Sequence, residues 1–505
     1  MTPEEAKEKG EELKNSRDIF ARRAGNYPEA QAALDFFYEE IKVEYKIKRA
    51  DHEKDYRHHI RVFVLDIFYA NQIDPVLYIT FSRDKNAYRP GTKYHRMRLS
   101  ERISTNVVDY LRFNEYIEYV PGFYDRATGI SRLPKFRATE KFRSLLQDDF
   151  KVEIGMYIWD WDDTKPTVDL RDEDKKPLPY EKTEVTIRME EDLKLINRTL
   201  EKYPILLHIT DEEYWLMTTK MKRDANKGVA DFTRKFVKRV FNNGSWTQGG
   251  RFYGGWWQNI PRECRQFIRI GDKDVVECDY SGLHINILYA MEKEVVPPGD
   301  VYSIPEYPTK SKVFRDFVKQ LLLTIVNCDD RDSARQAIHD AVHHKKTLKL
   351  PEEIPSTKGD DIFPLLEAFS KRHHRIKKDF CSGKGIDLQY KDSVLAEQVM
   401  VHFSQMGYPI LPMHDSFILH HGLEEELKDC MNSAFRDMFG TDISVDLKFN
   451  SIIERDKNTP TRDEDDPESH ICDLTLSELF EEERDFRIYN TLLDQFRKYK
   501  QNSAE

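Results

Sequence analysis

A chain of 505 residues is longer than one compact core accommodates, so two or three domains are expected. The net charge of −11 and the lack of any apolar run long enough to cross a bilayer argue against a helical membrane span and against a uniformly basic nucleic-acid binder. The charged N-terminus has no apolar signal-peptide core. Cys264, Cys278, Cys328, Cys381, Cys430 and Cys472 form no Cys-x-x-Cys pair. A cytoplasmic protein with reduced thiols is expected, without a disulfide framework or a zinc site.

The average charge conceals an uneven distribution. Residues 83–143 carry fourteen Lys/Arg against seven Asp/Glu, a local charge of +7, while acid concentrates in 462–468 and 481–483. A one-sided basic region is the footprint expected of phosphate contact, although solvated basic faces are also common.

Residues 1–54 read as a helical, mixed-charge N-terminal segment. From 55 to 150 the pattern runs helix, strand (76–81), helix with Val107, Val108 and Leu111 at helical spacing, strand (116–120), the turn signal Arg-Ala-Thr-Gly (126–129), and a return strand through 137. This order resembles a winged helix-turn-helix module. The resemblance implies DNA contact, with Arg126, Arg132, Lys135 and Arg137 on the wing.

Residues 151–190, rich in Asp, Lys and Pro, read as a linker, in which Asp160, Asp162 and Asp163 are taken as a solvated loop rather than a metal site. A larger domain is expected over 191–450, closing on a strand at 443–449. Residues 451–505 read as an acidic linker and a C-terminal helix, with Thr475 and Glu478 in a capping-box pattern. Leu479, Phe486, Tyr489, Leu493 and Phe496 form an apolar stripe that should dock on the main body. The pairs His343-His344 and His373-His374 read as solvated surface.

Four ordered segments of the larger domain carry the chemistry. The first is Thr-Gln-Gly-Gly-Arg-Phe-Tyr-Gly-Gly-Trp-Trp-Gln-Asn-Ile-Pro (247–261), the second Asp-Tyr-Ser-Gly-Leu-His-Ile-Asn (279–286). The third is an amphipathic helix in which Phe314, Phe317, Val318, Leu321, Leu322 and Ile325 form a core face, leaving Arg315 and Lys319 one turn apart on the other. The fourth, Met-His-Asp-Ser-Phe (413–417), sits in a strand–turn–strand setting. Asp279 and Asp415 each end an apolar strand-like run. Two such carboxylates brought together can hold a pair of hard divalent cations for an in-line displacement at phosphorus.

In this order the segments resemble the motifs of family A (polymerase I-like) DNA polymerases and the related phage-type single-subunit RNA polymerases. The resemblance covers roughly residues 245–420, about a third of the chain. It implies an α+β polymerase palm with helical fingers and thumb, preceded by the winged-helix-like domain. It further implies that Asp279 and Asp415 bind two Mg²⁺ ions, with Mn²⁺ as a substitute, and that the Tyr280 backbone carbonyl adds a ligand. Arg315 would hold the triphosphate and Lys319 would protonate the leaving pyrophosphate. Arg251, Gln258, Asn259 and His414 would contact primer and template.

Two positions depart from the family pattern. His284 stands where the DNA enzymes usually carry a ribose-excluding Glu, and Asn327 stands where they have a sugar-selecting Tyr. Both are assigned to nucleotide binding. The expected function is template-directed DNA synthesis on a primer–template from nucleoside triphosphates, without proofreading. RNA or primer synthesis is the second reading, and a catalytically silent DNA-binding replication or regulatory protein the third.

Overall fold

The computed structural model describes residues 13–449 and 486–502, apart from 14, 22, 25–26, 91, 125–130, 153–157, 160–166, 224–229, 231, 309–310, 345–346 and 358–360. The turn 126–129 with Arg126, the acidic residues Asp160, Asp162 and Asp163, and Thr475, Glu478 and Leu479 lie outside the described residues. The chain is a mixed α+β protein with two separate hydrophobic cores.

The first core is built by strand β1 (Ser16–Asp18), helices α1 (Pro28–Tyr45) and α2 (Ala50–Ile73), β2 (Tyr78–Thr80), α3 (Glu101–Phe113), β3 (Ile117–Val120) and β4 (Lys135–Ala138). The sheet order is β1-β2-β4-β3, with β4 antiparallel to both neighbours. Helix α3 starts where Ser100 Oγ accepts from the Ile103 amide, and buries Val107, Val108 and Leu111 at the expected spacing. The expected boundary at residue 54 falls inside α2. Helix α1 buries Phe37 and Ile41 in the same core as Phe63 and Phe136, because an amphipathic helix of its length must cover its apolar stripe.

The second half of the expected linker is also folded. Strands β5 (Val168–Arg171) and β6 (Pro177–Leu178) form a hairpin, and α4 (Glu184–Glu201) follows a Thr183 cap. The Asp and Lys residues there serve as turn chemistry: the Asp172 amide donates to the Lys176 carbonyl, and Asp172 Oδ1 accepts from the Lys176 amide.

The remaining elements are β7 (Ile205–Leu207), α5 (Asp211–Arg223), β8 (Lys238–Phe241), β9 (Gly249–Tyr253), β10 (Ile268–Ile270), β11 (Lys273–Tyr280), α6 (Leu283–Met291), α7 (Lys312–Asn327), α8 (Arg331–His343), α9 (Phe363–Arg372), α10 (Gly385–Gln405), β12 (Leu411–Pro412), β13 (Ser416–His420), α11 (Glu424–Phe439), β14 (Val445–Phe449) and α12 (Arg487–Asn502). One sheet has the order β6-β5-β8-β9. The other runs β7-β10-β11-β13-β12, with β14 on the free side of β11.

Strand β11 is thereby flanked on both edges over its last residues. Its Val275, Val276 and Cys278 are fully buried, as a central strand requires. Helix α12 docks on this body as its stripe implies: Phe486 stacks on His208 at 4.7 Å and Tyr489 meets the same ring edge-on. His373 is buried, not solvated, bonded to the Tyr289 hydroxyl and the Val301 carbonyl. His343, His344 and His374 are exposed, as expected, although His343 bonds the buried Thr357 hydroxyl. Among the described residues no helix is long and apolar enough to cross a membrane.

Candidate active site

Antiparallel pairing of β11 with β13 sets Asp279 opposite Ser416, so Asp415 arrives at the same end of the sheet as Asp279. A tight turn delivers it. The Met413 amide donates to the Ser416 carbonyl at 2.7 Å, and His414 takes φ 71°, a left-handed conformation that His tolerates better than most side chains. On the other edge of β11, β14 sets Asp446 opposite Asp279.

These strands form the floor of a cleft of about 950 Å³. Asp279, Asp415, Tyr280, His284, Arg251, His414, Arg315 and Lys319 all line it. Eight of the residues assigned to chemistry from sequence are thus brought together.

Helix α7 forms the opposing wall. Ser311 caps it, its buried face carries Phe314, Phe317, Val318, Leu321, Leu322 and Ile325, and Arg315 and Lys319 are left exposed. Arg315 pairs with Asp300 at 2.6 Å and lies over the Tyr302 ring. Lys319 carries no ion pair among the described residues.

Asp279 is under electrostatic stress. Burial and the neighbouring Asp415 charge push the Asp279 carboxyl up to about 6, against the opposing pull of Lys448 and Lys319. One oxygen, Oδ2, accepts from Lys448 Nζ at 2.9 Å; the other, Oδ1, is buried without a hydrogen-bond partner. A buried carboxylate oxygen lacking a partner, beside a second carboxylate, fits a hard divalent cation. Among the described residues no three His, Cys, Asp or Glu side chains converge as a complete cage. Magnesium is ordinarily held by one or two carboxylates, with waters and substrate phosphates completing its shell.

The Tyr280 side chain turns away from the cleft and donates its hydroxyl to the Met431 carbonyl, so only its backbone faces the carboxylates. Arg251 and His284 share one partner that was not foreseen: the fully buried Asp392 on α10. Arg251 Nε donates to both its oxygens at 3.1 Å, and His284 Nε2 lies 3.2 Å from Oδ2. Close approach of β9 to α10 makes this reach possible. Gly250 has φ +77°, and a Cβ there would stand 2.7 Å from Ser393 Oγ. Burial pushes the His414 imidazole down, with Arg251 adding to the effect.

Other assigned residues lie elsewhere. Gln258 is a structural clip: its amide donates to the Phe252 and Pro412 carbonyls and accepts from the Gly254 amide, tying the 247–261 segment to the strand before His414. Asn259 is half-buried beside it and does not line the cleft. Asn327 ends α7, roughly 12 Å along the axis from Lys319, where its amide donates to the Leu323 carbonyl. It is off the cleft.

The wing cations are engaged inside the first domain. Lys135 is buried and bonds the Leu13 carbonyl and Ser16 Oγ, so the sheet edge uses it and no phosphate contact follows. Arg137 pairs with Glu118, and Arg132 donates to the Pro121 carbonyl while covering the Phe123 ring.

Sequence reasoning also missed Glu277 and Lys448. Glu277 is 1% exposed; it accepts from Ser416 Oγ at 2.7 Å and pairs with Lys448 at 3.1 Å. The closing strand itself was legible, but Lys448 reaches the site through a bulge in its pairing with β11, for which the sequence carries no signal. For Asp392 there was none, since a buried Asp inside an apolar helix face has no signature of its own. Comparison with protein-family models and with curated proteins finds no match to this chain.

Proposed function

We propose that the chain is a nucleotidyltransferase that extends a nucleic-acid primer on a template. The single observation that carries this reading is the convergence of Asp279 and Asp415, from neighbouring antiparallel strands, beneath a helix wall bearing Arg315 and Lys319. The primer 3′-hydroxyl gives its proton to solvent and its oxygen bonds to the α-phosphorus of a nucleoside triphosphate as the bond from that phosphorus to the bridging β-phosphate oxygen breaks, and pyrophosphate leaves. Asp279, Asp415 and the Tyr280 carbonyl would hold Mg²⁺, which when bound lowers the pKa of the attacking hydroxyl and neutralises the phosphates.

The chain's own residues do the rest. Arg315 and Lys319 clamp the triphosphate, and Lys319, with no competing ion pair among the described residues, gives its proton to the departing pyrophosphate. Arg251, held by Asp392, positions a nucleic-acid phosphate. The helix and strand order of the first domain, with its return strand between β2 and β3, supports a winged-helix reading and a role in holding DNA.

DNA synthesis without proofreading is the first assignment, from the 247–261 segment. RNA synthesis is the second, favoured by two placements: Asn327 off the cleft, and Ser416 committed to Glu277 where a carboxylate would suit a DNA enzyme.

Labelled primer–template extension with Mg²⁺, offering deoxynucleotides or ribonucleotides, tests the reading. Extension by the wild type and a loss of roughly 100-fold or more in Asp415→Asn are expected. Undiminished extension by that variant would overturn the two-metal assignment. Product made without primer would favour RNA synthesis.

A further inference from the structure

Among the described residues, the cation seated on the candidate metal-binding carboxylate is a lysine from a strand outside all four motif segments. Lys448 Nζ lies 2.9 Å from Asp279 Oδ2 and 3.1 Å from Glu277 Oε1. Glu277 and Asp279 are two residues apart on β11, and the pairing of β14 with β11 shifts between the Cys278–Leu447 and Glu277–Phe449 pairs, so that Lys448 is the extra residue of a bulge whose side chain reaches both carboxylates. The Lys448 side chain is 23% exposed and lines the cleft, so it can move without unpacking a core.

We propose that Lys448 is a resident counter-ion, a positioning residue whose ammonium holds the Asp279 carboxylate in place until a divalent cation displaces it onto Glu277. This rests on the nucleotidyltransferase reading and deepens it. Glu277 is almost fully buried and, among the described residues, has Ser416 Oγ and Lys448 as its polar side-chain partners at these distances. An ammonium released from Asp279 therefore keeps a carboxylate, and the exchange leaves no buried charge bare.

The consequence is a tuned affinity. A divalent ion must compete with an ammonium already on one of its ligand oxygens, and then sit a few Å from a retained positive charge. Both effects weaken binding of the free ion. The site accordingly fills when a triphosphate brings additional negative charge, which makes metal loading depend on substrate. A lysine with only a packing role would not have this effect.

Mn²⁺ binding to the full-length protein, followed at pH 8 by electron paramagnetic resonance without nucleotide, tests the exchange directly. Lys448→Met, which keeps the stem and removes the charge, is expected to bind Mn²⁺ about 3- to 10-fold more tightly than wild type. Lys448→Arg, which keeps the charge, should remain within about twofold of wild type. Equal or weaker binding by Lys448→Met overturns the proposal. If that variant does not fold, Lys448→Gln takes its place with the same expectation. Asp415→Asn separates the two readings. Loss of Mn²⁺ binding there with no tightening in Lys448→Met removes the counter-ion and leaves the active site standing. Absence of any wild-type Mn²⁺ binding that depends on Asp279 and Asp415 removes both.

Discussion

Asp279 is destabilised by its own surroundings, and that makes its chemistry measurable without a substrate. Its carboxyl is raised in the folded protein to about 6, from the 3.8 of an unperturbed Asp, first by burial and then by Asp415. A raised folded-state value means the folded chain holds this proton more tightly than the unfolded chain does. The stabilisation is therefore full below about pH 4 and is lost as pH rises through about 6. At pH 8 the native state carries the full cost of a crowded charge. Asp279→Asn, nearly the same size and neutral, is expected to gain on the order of 1–2 kcal/mol in urea unfolding at pH 8 without divalent ions, with no gain near pH 4. A variant less stable than wild type at pH 8 would mean that the Lys448 pair outweighs the repulsion. The same strain explains why a site that is a liability in the empty protein is suited to metal: the cation supplies the charge that the fold withholds.

At the scale of elements, much of the molecule was legible. The third segment reads as a helix because its apolar positions recur at three and four residues, and α7 buries those positions while exposing Arg315 and Lys319. The β11 and β13 strands follow from apolar runs ending in polar turn residues. What sequence withheld was pairing. Nothing in Val-Asp-Leu-Lys-Phe says that β14 joins β11 rather than another edge, and so Lys448 and Asp446 could not be placed at the site. Linker composition misled for a related reason, because Asp, Lys and Pro serve a hairpin turn at 172–176 as readily as a solvated tether. The docked α12 gives an element-level test. His208, between Phe486 and Tyr489, is pushed down to about 4 by burial, with Arg269 adding to the effect. Its folded-state value lies below the unfolded 6.5, so this docking contribution is present above about pH 6.5 and is lost as pH falls through about 4. Hydrogen-exchange protection of α12 should accordingly drop roughly 10- to 30-fold between pH 7 and pH 5 once corrected for intrinsic exchange. His208→Phe should flatten that dependence, and an unchanged profile in this variant would assign the pH effect to another group.

For the molecule as a whole, the question is whether two cores behave as one. Helix α12 touches both. Its Phe486 and Tyr489 pack on His208 of the larger domain, the Asp211 carboxylate accepts from the Ile488 amide, and the Tyr27 hydroxyl of the first domain donates to the Gln495 carbonyl at 2.6 Å. The first domain also meets the larger one directly, where Tyr69 Oη donates to the Ala230 carbonyl at 3.4 Å and Arg234 covers the Phe20 ring. A 3.4 Å hydrogen bond and an Arg–aromatic contact are weak ties for domains of this size, whereas a docked amphipathic helix contributes several kcal/mol of burial shared between them. The C-terminal helix is thus expected to couple their unfolding. Tyr489→Ala combined with Phe496→Ala releases the helix while keeping the whole chain and its charge. Calorimetry of the wild type should give one merged transition, and the double variant two resolved ones, the first domain melting several degrees lower. A variant that keeps a single transition at a uniformly lowered temperature would instead place the coupling in the Tyr69 and Arg234 contacts, and Tyr69→Phe would then be the change that splits it.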